Sequence, residues 1–299
     1  MTQTSAAGTL PGSGTYWRGV AWMMGAVLSF TTMALCVREL ADTLSVYQIL
    51  FMRSGVGLPL IVAAAATGGA AGLRNLRTGN LRLQFFRNFI HLIGQWTWIY
   101  ALTVLPLATV FAVEFTTPLW SVLMAALLLG EHTNRAQRIG LLLGLAGTLV
   151  IVRPSPEGMS WDILIALVAS LTYAAAHLST RVLSRTDSSI SVPFWMCLIQ
   201  TPLGLGLALL DWRPIVLADV PLILVLAASG LLAHQCLTSA FRLAPVARVI
   251  PFDFLRLPLI AALGVLLYAE ALDPFVLFGG AVVLSGVLVT QTARKPAPH

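Results

Sequence analysis

Charge is what this sequence has least of. Only 10% of its 299 residues are Asp, Glu, Lys or Arg, and the acids, at 12, are outnumbered by 18 bases. A soluble domain averages roughly 25% charged residues. With 58% hydrophobic residues and a mean hydropathy of +0.86, a globule of this length would have no polar coat. The composition therefore excludes an ordinary water-soluble domain and makes lipid the solvent. Cysteine is nearly absent as well: Cys36, Cys197 and Cys236 fall in apolar runs at unrelated spacings. Without a CxxC or a Cys/His cluster they read as small buried hydrophobes, and no metal or cofactor site is implied. The chain lacks GxxxxGK[ST], so ATP is not a direct drive. It also lacks HExxH, a GxSxG elbow and any paired aspartates within one span, which argues against an intramembrane enzyme.

What is present is a succession of apolar runs near the length, about 20 residues, that a helix needs to cross a bilayer. Ten are read, at 17–37, 45–67, 83–104, 107–129, 136–153, 160–182, 191–210, 219–241, 246–268 and 273–291. Residues 1–16 are rich in Gly, Ser and Thr with no basic n-region, so they read as a flexible tail and not as a removable signal peptide. The net charge of +6 is spread as a topology signal. With the first residue placed inside, thirteen basic residues fall in inside loops, Arg74, Arg87 and Arg135 among them. Only Arg38, Arg153 and Arg213 fall outside, and Arg53 and Arg256 lie within spans. Positive loops stay cytoplasmic, so both termini, 293–299 included, are expected in the cytoplasm. A basic patch for nucleic acid is not indicated; attraction to anionic lipid is the secondary reading.

The chain is written twice. A shift of 139 residues carries Ala101 onto Ala240, Pro106 onto Pro245, Phe115 onto Phe254, Glu131 onto Glu270, Gly140 onto Gly279 and Gly147 onto Gly286. Glu114 falls on Asp253, an acid on an acid, and Gln95 on His234. The expected architecture is all-helical: ten transmembrane helices as two five-helix repeats, 17–154 and 159–292. Because five is odd, the second copy enters upside down. Inverted repeats recur in secondary transporters, where exchanging the packing of the copies opens the other side. A duplicated scaffold with no pathway is the alternative.

The stretch "PLWSVLMAALLLGEHTNRAQRIGLLLGLAGTLVIVRP", from Pro118, is similar to the signature of the EamA-type domain. Two such copies resemble the drug/metabolite transporter superfamily, and within it the bacterial exporters of aromatic and other amino acids. The second copy departs from the pattern, with Ala269 for Gly130 and "EALDP" for "EHTNR", and the resemblance is weakest over spans 1–2 and 6–7. It implies alternating-access export of a small metabolite through the inner membrane of a bacterium. No oligomeric partner is implied, and a monomer suffices. A multidrug exporter would want unpaired acids, and a sugar-phosphate carrier would want converging cations at mid-depth, for which Arg53 and Arg256 alone qualify.

Residues 88–100, "NFIHLIGQWTWIY", place hydrogen-bonding groups inside an apolar run. At about 100° per residue, Asn88, His91, Gln95 and Trp98 share an arc of about 80°, with Trp96 and Tyr100 opposite. Span 6 repeats the spacing with Ser170, Tyr173, His177 and Thr180, and span 8 with Gln235, Thr238, Ser239 and Arg242, leaving His234 to one side. Such stripes either hydrogen-bond to neighbouring helices or line a shared cavity. On the cavity reading His91, Gln95, His177, Gln235 and Ser239 bind cargo, while Tyr173, Trp98 and Trp195 stack on it. Glu114 or His91 carries a proton if transport is coupled. Glu114 and Asp253 each need a partner, because a carboxylate at mid-membrane costs at least about 2.5–3.5 kcal/mol. Arg256, three residues after Asp253, is the expected one. Pro118, Pro251 and Pro258 free backbone carbonyls beside these acids, which places the expected pathway against spans 4 and 9. Glu131 and Glu270 read as structural, next to helix starts at Asn134 and Asp273. Gly140 and Gly144 form a small-xxx-small face for a dimer or for packing within the copy.

Overall fold

The computed structural model describes residues 13–129, 134–153, 160–183, 186–188, 190–243 and 252–291. Among these the chain is helical throughout, with no strand. The helices are α1 (Ser13–Leu40), α2 (Val46–Ala66), α3 (Gly69–Arg74), α4 (Leu81–Val104), α5 (Leu107–Glu114), α6 (Thr117–Leu129), α7 (Arg135–Val152), α8 (Trp161–Leu183), α9 (Ser191–Ala208), α10 (Val220–Leu243), α11 (Arg256–Tyr268) and α12 (Pro274–Gln291). Seven stretches are long and apolar enough to cross a membrane, counting α5 and α6 together; α11 and α12 are apolar but shorter. Helix α4 has the length but carries Arg82, Arg87, Asn88, His91 and Gln95.

The surface confirms the solvent. Leu142 is 68% exposed and Phe278 64%, whereas Gln48, Gln84, Asn88 and Gln200 are fully enclosed. Water would reverse that distribution. Helix α7 shows both sides of it: Ile139, Leu142, Leu145 and Leu149 point outward, and Gly140, Gly144 and Gly147 are buried. A Cβ built on Gly147 would stand 2.7 Å from the carbonyl oxygen of Gly279, and one on Gly286 2.6 Å from that of Gly140. The glycine stripe thus brings α7 backbone to backbone with α12, a contact between the copies, which neither expectation for Gly140 and Gly144 foresaw. The three cysteines are free and buried.

The remaining pairings respect the 139-residue shift. Helix α1 packs on α10 and α4 on α8, while α2 packs on α9 and α7 on α12. Each pairing survives exchange of the copies. Span 107–129 is interrupted at Phe115–Thr116, and the second copy is interrupted at Phe254–Leu255, its counterpart. The rings of Phe115 and Phe254 meet edge to face at 4.9 Å. The carbonyl of Glu114 accepts from Thr117 Oγ1 at 2.6 Å, and that of Val113 from Thr116 Oγ1 at 2.7 Å. Threonine hydroxyls, not a cavity, therefore satisfy this break, as backbone at membrane depth requires.

Short connections make successive spans antiparallel, so the bundle has one face where the described chain begins and ends, and an opposite face. On the opposite face the copies are laced together. Arg38 bonds Glu270 at 2.7 Å and the carbonyls of Leu102 and Leu105, and Tyr268 donates to Glu39 at 2.7 Å. Arg153 pairs with Asp273, and Gln48 exchanges two bonds with the backbone of Arg213. Glu270 also accepts from the amide of Leu107 at 2.8 Å, the first of α5. It therefore caps a helix of the other copy, while Asn134 caps α7 and Asp273 receives the amide of Phe275. Glu131 lies outside the described residues.

On the terminal face Asp187 accepts from Thr78, Gly79, Gln84 and Thr186, and Ser188 donates to the carbonyl of Asn75. Burial works against the charge of Asp187, yet these hydrogen bonds outweigh it and hold the carboxyl below its usual range. A carboxylate with a lower pKa folded than unfolded stabilises the fold above its unfolded value, about 3.9. That contribution is lost as pH falls through the folded value. The melting-temperature difference between the unmodified protein and Asp187→Asn should hold constant from about pH 8 to about pH 5 and shrink only as pH falls through the folded value. A difference that fades near neutrality would contradict this role.

Candidate functional site

Polar groups from both copies meet in the interior of the bundle. Helix α4 brings Arg87, Asn88, His91 and Gln95 along one side because its polar residues recur at three- and four-residue spacing. His91 is buried, with Nδ1 3.2 Å from Gln200 Nε2, which also donates to the carbonyl of Asn88. The His91 ring lies 5.3 Å from that of Tyr173 and 6.1 Å from that of His234, and Tyr173 stacks on His177 at 6.5 Å. Gly94 permits this approach, since a Cβ there would stand 2.6 Å from Thr172 Oγ1 and 3.0 Å from the Tyr173 ring. His177 is exposed in spite of its place beside Tyr173.

Two arginines complete the group, and neither was expected in it. Arg87, assigned from sequence to an inside loop, is only 3% exposed; its Nη1 donates to Asn88 at 2.6 Å and its Nε to Thr180 at 3.2 Å. Asn88 passes the contact to Gln84 and Gln84 to Asp187, a line of amides from the interior to the terminal face. Its spacing of four residues from His91 was the signal available. Arg53 is 6% exposed, and its Nε and Nη1 have no hydrogen-bond partner. It lies beside Gly230, the counterpart of His91, where a Cβ would stand 3.0 Å from Nε. Among the described residues no carboxylate lies within ion-pair distance of Arg53 or Arg87. The gap against Arg53, lined by Met196, Cys197, Ala227, Gly230 and Leu231, has no room for a water molecule in this arrangement.

The acids form an adjoining group. Arg256 bonds Asp253 at 2.8 Å, as its spacing predicted, and also Glu114 at 3.2 Å, so one guanidinium joins the equivalent acids of the two copies. Phe30, Phe111 and Phe115 surround it, with ring centres 4.6–5.5 Å away. Trp98 donates from Nε1 to Glu114 at 2.8 Å and meets Phe111 edge to face, so in this arrangement its polar edge is spent on the acid. Buried atoms without a partner include Asp253 Oδ1 and Arg256 Nε in this group, and Gln95 Oε1 and Gln200 Oε1. Glu114, Arg53 and Arg87 all lie within electrostatic reach of Tyr173.

Three sequence-selected residues stand apart. Trp195 donates to the carbonyl of Leu76 near the terminal face. Gln235 is exposed, and it is His234 that turns toward His91. Ser239 is half-buried five residues further along α10. Trp96 stacks on Tyr47, and Tyr100 donates to Asp162. No cluster of metal-ligating side chains occurs among the described residues.

The chain is 29% identical over 232 residues to a riboflavin transporter of Rhizobium johnstonii, covering 76% of this chain and 77% of that one. It is 23% identical over 287 residues to an S-adenosylmethionine uptake transporter of Rickettsia felis, covering 95% of each. A pseudopaline exporter of Pseudomonas aeruginosa is 26% identical over 279 residues, covering 93% of this chain and 97% of that one. All three are transporters, not enzymes, and with the apolar helices they mark a multi-pass bacterial membrane protein. The EamA-like transporter family model matches residues 17–153 and again 160–292, and the chain belongs to that family.

Proposed function

We propose that this metabolite transporter is a secondary exporter of small zwitterionic solutes, amino acids including aromatic ones, working by alternating access. The observation that carries the reading is the interior cluster itself: Arg87, Asn88 and His91 from the first copy, Tyr173, Gln200 and His234 from the second, with His177 at its edge. Groups so placed are released or engaged together whenever the copies shift, which couples the site to access. The ten spans are the seven apolar stretches with α4, α11 and α12. The paired interruptions at Phe115 and Phe254, and helix pairings that survive exchange of the copies, support an inverted repeat.

The excess of basic residues in alternate loops supports an inner-membrane position with both termini cytoplasmic; burying Arg87 leaves that bias in place. Pairing of Asp253 and Glu114 with Arg256 speaks against a dicationic cargo. Relatives named for uptake and for export leave direction to the amino-acid resemblance. The test is counterflow in liposomes containing only this protein, screened across amino acids. Exchange of aromatic amino acids is expected, with loss of exchange in His91→Ala at unchanged folded yield. Folded protein that exchanges no amino acid would overturn the proposal.

A further inference from the structure

Arg53 is a charge in the wrong place unless something comes to meet it. A guanidinium 6% exposed, with Nε and Nη1 unbonded and flanked by Met33, Met196 and Cys197, carries a desolvation penalty that no carboxylate offsets. Arg87, 3% exposed, is met among the described residues by the neutral oxygens of Asn88 and Thr180. The two guanidinium groups are near enough to repel each other. A chain selected for stability alone would be served better by a methionine at position 53. Gly230 keeps the space into which that guanidinium fits.

We infer that Arg53 and Arg87 form an anion site that grips the carboxylate of the transported solute, a role resting on the transport reading above. Arg256 is already engaged by Glu114 and Asp253, which leaves Arg53 and Arg87 as the cations that no acid meets among the described residues. Planar guanidinium forks suit a carboxylate's two oxygens. Gln200 bonds the backbone of Asn88, the residue that Arg87 holds, and its unbonded Oε1 suits the ammonium that an α-amino acid carries beside its carboxylate. Because the space at Arg53 is closed in this arrangement, the solute enters when the copies part.

The experiment follows phenylalanine counterflow in liposomes with two competitors: 3-phenylpropanoate, which keeps the carboxylate alone, and phenethylamine, which keeps the amine alone. In the unmodified protein 3-phenylpropanoate should compete well and phenethylamine poorly. Arg53→Gln and Arg87→Gln should each weaken the carboxylate solutes roughly 10- to 100-fold, the worth of a charge-assisted bond, and erase the discrimination, while Arg53→Lys restores part of it. Phenethylamine competing as well as 3-phenylpropanoate in the unmodified protein overturns the site while leaving transport intact, and needs no variant to fold. Should no solute exchange at all, thermal melting of the purified protein with the same compounds decides. Stabilisation by 3-phenylpropanoate, lost in Arg53→Gln, upholds the site without the transport reading; equal response to every compound removes it.

Discussion

Arg256→Met is expected to destabilise the fold by about 3–5 kcal/mol, the cost of breaking a buried ion pair from one side. The side chain is 6% exposed and its partners Glu114 and Asp253 are 16% and 20% exposed, so water screens the triad little. Removing the cation leaves two carboxylates facing each other among Phe30, Phe111 and Phe115. Glu114 also ends α5, where the helix dipole disfavours a negative charge. Glu114→Gln alone should cost much less, because Arg256 keeps Asp253. The combination Arg256→Met, Glu114→Gln, Asp253→Asn should recover most of the loss, since no unpaired charge then remains. Thermal unfolding in detergent reads all three. A single Arg256→Met variant melting with the unmodified protein would show that the triad does not hold the copies together.

Glu270→Ala should open the opposite face. The carboxylate holds Arg38 at 2.7 Å and takes the first amide of α5 at 2.8 Å, joining the copies twice. Gly264 makes room for it, since a Cβ there would stand 2.6 Å from Oε2. Loss of a cap costs about 1 kcal/mol, and loss of a partly buried charged bond about 1.5–3 kcal/mol. Closure at this face should therefore weaken by about 2–4 kcal/mol, a shift on the order of 30- to 1000-fold toward the open arrangement. The Tyr268–Glu39 and Arg153–Asp273 contacts remain, so the fold should survive. Asp187→Asn acts correspondingly on the terminal face, where that carboxylate gathers Thr78, Gly79 and Gln84.

The duplication, which the family model matches twice, was legible because prolines, glycines and acids agree at one shift. That agreement places Gly140 on Gly279 and Phe115 on Phe254, and these residues sit where the copies touch. The site was legible only in part. Helical spacing gives the face of a helix but not which neighbour that face meets. It found His91 and Tyr173, set His234 aside in favour of Gln235, and drew in Trp195, whose indole serves the carbonyl of Leu76. It saw Asp253 with Arg256, three residues apart, but not Glu114 on the same guanidinium, a contact 142 residues distant. Arg87 was misplaced because counting loop charges treats a basic residue near a span's end as solvated, whereas this one turns inward to Asn88 and Thr180. The stripe on α4 was the better guide.

Both ends of the bundle are proposed to close one shared interior, alternately. Cys197, buried beside Arg53, is a built-in reporter of that space once Cys36 and Cys236 are replaced by alanine. A membrane-impermeant thiol reagent is applied separately to each face of oriented membranes. Cys197 should be protected in the resting protein, labelled from the opposite face in Glu270→Ala, and labelled from the terminal face in Asp187→Asn. Labelling of both variants from the same face, or of neither while both remain folded, would contradict alternating closure around this site.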